Sequence, residues 1–72
     1  GIMTAEEFKK IREEIGITQQ RLANLLGKSK RSIQAYEYGK TKIPDAVWSQ
    51  LKLMYTEMIV AELRILSTLM NR

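Results

Sequence analysis

The chain has 72 residues with no cysteine and no histidine, which excludes a disulfide framework and a His/Cys metal site and leaves packing alone to make the core. A domain this short buries only about 60% of its unfolded-chain surface, so a partner subunit would add stability. The net charge of +4 is concentrated: Lys28, Lys30, Arg31, Lys40 and Lys42 stand against the single acid Glu37, and elsewhere basic and acidic residues balance. Such an excess on one short stretch is the footprint of a surface that binds a polyanion, set against the plainer reading of a solvated basic face.

Gly1 and Ile2 precede the first methionine, Met3, and read as residues added ahead of the natural start. Thr4 and Glu7 form a capping box, with Met3 and Phe8 as its hydrophobic staple. The spacing predicts a helix from Ala5 to Ile15 with Phe8, Ile11 and Ile15 on its apolar face, stopped by Gly16 in a left-handed conformation. Its mixed charges read as a wet face. Thr18 then caps a second helix, Gln19 to Leu26, with Ile17 and Leu22 as another staple and Leu22, Leu25 and Leu26 facing inward. Ala23 is small where a following helix would cross, and Gly27 permits the sharp turn. Ser29 caps a third helix, Lys30 to about Tyr36, whose inward pair is Ile33 and Tyr36. Lys30, Arg31 and Gln34 are left pointing outward.

Two short helices joined by a turn of about three residues, with Gln19, Ala23, Gly27, Ile33 and Tyr36 at these spacings, resemble the helix-turn-helix of the phage-repressor and Cro-like family. The segment Tyr36, Glu37, Tyr38, Gly39, Lys40 and then Pro44 is similar to that family's aromatic-Glu-x-Gly-Lys stretch, and the likeness runs from about Thr4 to Met54. It implies an all-α, compact, four- to five-helix repressor-like domain. In that motif the second helix lies in the major groove with its N-terminal residues at base edges. The resemblance therefore places base contacts at Lys30, Arg31, Gln34 and Ala35. Lysine or arginine can present donors to guanine, glutamine can pair with adenine, and the Ala35 methyl suits a thymine methyl. Backbone contacts fall to Gln19, Lys28, Ser32 and the loop residues Lys40, Thr41 and Lys42, which would position the protein and make its affinity fall with salt. The resemblance also pairs Glu37 with an arginine of the first helix, here Arg12. Tyr38 departs from the small polar residue usual at its position, and the sequence leaves open whether it packs or reaches a phosphate.

Pro44 and Asp45 open a last helical stretch that contains no further glycine or proline. One helix to about Met70 is open to it. A pair, Pro44 to Met54 and Thr56 to Met70, agrees better with the break usual in the family. Two apolar stripes run along it: Val47, Leu51, Met54, Met58, Ala61, Ile65 and Leu69, and Trp48, Tyr55, Ile59, Leu63, Leu66 and Met70. One can cover the small core, which leaves the other for a partner. The whole chain, 1–72, thus reads as one domain: a repressor-like core over 4–54 and a C-terminal helix over 55–72 that makes a homodimer through Met58, Ile59, Leu63, Leu66 and Met70. The expected partner is double-stranded DNA, bound by a cytoplasmic regulator, most simply a repressor, of bacterial or phage origin. The competing reading is an antitoxin whose tail grips a toxin protein and whose DNA binding serves autoregulation. No cofactor, metal or membrane span is expected, nor an enzyme: the chain offers no histidine, cysteine, Gly-rich phosphate loop or paired-acid pocket.

Overall fold

The structure, a computed structural model, describes residues 3–71, so the reading of Gly1 and Ile2 lies outside the described residues. It holds four helices: α1 (Ala5–Ile15), α2 (Gln19–Leu26), α3 (Lys30–Glu37) and α4 (Asp45–Met70). The first three begin and end where their local chemistry dictates. At α1 the Thr4 hydroxyl accepts from the Glu7 amide at 3.1 Å while the Glu7 carboxylate accepts from the Thr4 amide at 2.9 Å, closing both arms of the capping box. That bond to the Thr4 amide holds the Glu7 carboxyl below the usual carboxylate range. Thr18 and Ser29 cap α2 and α3 through the amides of Arg21 and Ser32, each at 3.1 Å. Gly27 ends α2 with φ +66°, a conformation that costs an L-residue its Cβ clearance. The two helices can therefore cross at once.

The core is Phe8, Leu22, Ala23, Ile33, Val47 and Leu51, closed at its edges by Met3, Leu26, Tyr36 and Ile43. Phe8 and Tyr36 meet edge to face, their ring centroids 5.7 Å apart at 67°, the arrangement aromatic quadrupoles favour. The α1 helix packs on α3 and α4, and α2 packs on α3. Leu25 does not face inward: it is 54% exposed. Leu22, Ala23 and Leu26 already fill the buried side of α2, and Leu25 is turned off that face.

The C-terminal stretch is one uninterrupted helix of 26 residues, which corrects the expectation of a break near Tyr55 and Thr56. The Thr56 hydroxyl donates to the Lys52 carbonyl at 2.8 Å, so its polar group is satisfied within the helix, and no residue there disrupts the ladder. The stripe assigned to the core covers it only in part. Val47 and Leu51 are buried and Met54 and Met58 half-buried, but Ala61, Ile65 and Leu69 are exposed, as is every described residue from Val60 onward. Length explains this: at 1.5 Å per residue α1 spans about 16 Å and α4 about 39 Å. The second half of α4 has nothing to lie on.

Candidate nucleic-acid interface

The helix α3 is anchored from below and presented above. Ile33 is fully buried and Tyr36 nearly so. Residues one or two positions from Ile33 are turned away from the core: Arg31 is exposed and Ser32, Gln34 and Ala35 are half-buried, while Lys30, the first residue of the helix, is exposed at its N-terminal end. Three adjoining surface grooves gather the residues around this helix. One lies between α3 and the loop that follows it, lined by Arg31, Ser32, Ala35, Thr41 and Lys42 among others. A second runs along α3 past Arg31, Gln34, Ala35, Tyr38 and Lys40. The third joins Lys30 to the start of α2 at Thr18, Gln19 and Gln20 and reaches Arg12. Arg31 and Ala35 line the first two grooves and form the ridge between them. Lys28 is exposed on the turn and lines none of the three.

A polar network ties this surface to the body. Glu37, the last residue of α3, accepts from Arg12 Nε at 2.6 Å and from Arg12 Nη2 at 3.0 Å. Arg12 Nη1 donates in turn to the Ile17 carbonyl at 2.9 Å. The two side chains are only 12% and 3% exposed. The bond to Glu37 raises the Arg12 guanidinium above its ordinary value, and burial opposes it more weakly. A carboxylate at a helix C-terminus is badly placed against the helix dipole; Arg12 supplies the compensating charge. The helix end is thereby fixed to α1 by a two-pronged bond.

The network extends to residues that face the grooves. Gln19 Nε2 donates to Glu37 Oε1 at 3.1 Å, and Gln34 Nε2 donates to Gln19 Oε1 at 3.4 Å. Arg12, Glu37, Gln19 and Gln34 thus make one chain from α1 to the outer face of α3. Sequence reasoning gave Gln19 to a phosphate and Gln34 to a base without seeing that the two touch. Their contact depends on how α2 crosses α3, for which a separation of 15 residues offers no signal. Tyr38, left undecided in the sequence, is 75% exposed and stands in the groove with Arg31 and Lys40.

The arrangement offers cationic and amide donors on a protruding short helix, flanked by a basic loop. This chemistry suits phosphates and base edges. Among the described residues no group of acidic side chains could hold a metal ion, and no helix is long and apolar enough to cross a membrane. Comparisons with curated proteins and with solved structures give no significant match. A family model described as helix-turn-helix matches residues 8–51, the span from Phe8 in α1 to Leu51, which closes the core in α4. With the order of helices, the Gly27 turn and the anchored α3 in agreement, the chain belongs to the phage-repressor and Cro-like helix-turn-helix family of DNA-binding regulators.

Proposed function

We propose that this protein is a sequence-specific transcriptional repressor that binds operator DNA as a homodimer, with α3 in the major groove. The observation that carries the reading is the position of the charge excess. All five cations of the basic stretch, from Lys28 to Lys42, are exposed on α3 or on the turns at its two ends, while Glu37 is neutralised by Arg12 behind them. Lys30, Arg31, Gln34 and Ala35 are the base-contacting set, and Gln19, Lys28, Ser32, Lys40, Thr41 and Lys42 the backbone set. Gln34 is held by Gln19, so the residue that opens α2 and the base contact in the middle of α3 position each other. Gln19 already donates its amide to Glu37; the free backbone N–H groups at the start of α2 are what it adds for a phosphate.

Homodimerisation rests on the C-terminal half of α4, where Leu63, Leu66 and Met70 are 59%, 54% and 82% exposed. A two-fold pair would set two recognition helices about one DNA turn, ~34 Å, apart and require a near-palindromic site. The same uncovered tail also supports the antitoxin reading, in which it holds a toxin protein. Sedimentation separates the two: a stable homodimer favours the repressor, and a monomer that dimerises with nothing but a co-encoded protein favours the antitoxin. Selection of bound sequences from a random DNA pool tests DNA recognition itself. Enrichment of a two-fold-related motif, with affinity falling steeply as salt rises, is the expected outcome; no enrichment and no salt dependence would refute it.

A further inference from the structure

Beyond the body, α4 carries a seam of Ile59, Leu63, Leu66 and Met70. Ile59 is half-buried and the other three are exposed. Their spacings of four, three and four residues are those of a helix-pairing seam, and they read the same from either end. The midpoint falls between Arg64 and Ile65.

We propose that this half of α4 pairs with the same half of a second copy in antiparallel orientation. Ile59 then lies opposite the partner copy's Met70, and Leu63 opposite its Leu66. The inference rests on the homodimer reading above and adds direction and register to it. Antiparallel pairing about that midpoint puts an apolar residue opposite an apolar residue in every layer. The seam does not continue toward the N-terminus in the same character: one heptad before Leu63 is Thr56, and one heptad before Ile59 is Lys52. Lys52 is exposed, its ammonium 5.0 Å from the centroid of its own Trp48 ring. A parallel pair would run this polar stretch alongside itself, with the α4 axes 8–10 Å apart, and would press Lys52 toward its own copy. The antiparallel pair keeps the two Lys52 residues about 37 Å apart along the axis.

Head spacing points the same way. Leu51 is the α4 residue sunk deepest in the core, with no exposed surface. Counted from the midpoint of the seam along each helix, the two Leu51 positions stand on the order of 40 Å apart, near the ~34 Å that separates successive major grooves on one face of DNA. The free half of α4 is on this account a spacer as well as a contact.

The chain has no native cysteine, so single cysteines report the register directly. Full-length Ile59→Cys and Met70→Cys would be made separately, co-refolded as an equimolar mixture under reducing conditions, oxidised, and resolved by mass. The expected product is the 59–70 heterodimer, with neither variant cross-linking alone. Like positions 59 and 59 would lie about 16 Å apart along the axis, far beyond the ~7 Å that a disulfide spans between Cα atoms. Cross-linking of either variant with itself would overturn the antiparallel register. So would a mixture that sediments as a dimer when reduced yet forms no 59–70 bond, and in that case the homodimer reading stands. A monomer at every concentration, in the unsubstituted protein as in the variants, would remove both.

Discussion

The Arg12–Glu37 pair makes the sharpest energetic prediction, because the two partners are not equally buried. Replacing Arg12 with Ala removes two bonds to a carboxylate that is 3% exposed and leaves it only the Gln19 amide. Stranding a buried charge costs about 3–5 kcal/mol, and the Gln19 amide that Glu37 keeps puts this site at the lower end, about 3. Replacing Glu37 with Ala leaves Arg12 bonded to the Ile17 carbonyl and, at 12% exposure, able to swing toward water. That loss is closer to the ~2 kcal/mol of charged hydrogen bonds. The double variant removes both charges and should cost less than the two single losses together, with a coupling of at least about 1.5 kcal/mol. Urea unfolding followed by circular dichroism, at one fixed protein concentration for all four proteins, measures each term. Total stability for a chain of this size is ~5 kcal/mol, so the Arg12 variant should be severely weakened and melt roughly 12–24 °C lower. A coupling under about 0.5 kcal/mol, or a Glu37 variant less stable than the Arg12 variant, would refute the picture of a tether that holds the end of α3.

Other sites give distinct signatures. Arg31→Ala should cost about 1–3 kcal/mol of DNA affinity and relax preference at one base position, whereas Lys42→Ala should weaken all sequences alike and reduce the salt slope by about one; titrations against selected and scrambled duplexes at several salt concentrations separate these. Gly27→Ala should destabilise by about 1–2 kcal/mol from backbone conformation alone, since φ is +66° and an added Cβ would meet nothing within 4 Å; an unchanged urea midpoint would count against the left-handed turn. The Tyr55 hydroxyl donates to a Glu14 carboxylate oxygen at 2.6 Å, and that bond raises the phenol above its ordinary value. The clip between α1 and α4 is therefore fully present below the usual tyrosine value of about 10 and is lost as pH rises through the higher folded value. Ultraviolet titration should show a late tyrosinate component that vanishes in Tyr55→Phe.

What could be read ahead of the structure follows the range of the interaction that decides it. The limits of α1, α2 and α3 are set within a few residues by Thr4 with Glu7, Gly16, Thr18, Gly27 and Ser29, each of which acts on its own neighbours. Arg31 and Gln34 are turned from the core because Ile33 and Tyr36, in the same short helix, face inward, and Lys30 is exposed as the first residue of that helix. Leu25 failed this test: its spacing suits the apolar face of α2, and only the packing of α3 shows that Leu22, Ala23 and Leu26 fill that face. The Gln19–Gln34 contact was invisible for the same reason, being fixed by a crossing angle. The tail lies between these cases. Its apolar stripes are written in the sequence, but how far they are covered depends on the length of a different helix, α1. Because the core closes by Leu51, with Met54 packed at its rim, the apolar residues beyond Val60 contribute nothing to the monomer's interior. In the homodimer proposed above, pairing would remove their apolar surface from water and add stability that an isolated copy lacks. Subunit concentration should accordingly govern the melting temperature. On that reading DNA affinity should fall below the dimerisation constant as well, because one copy would offer a single basic helix to a near-palindromic site.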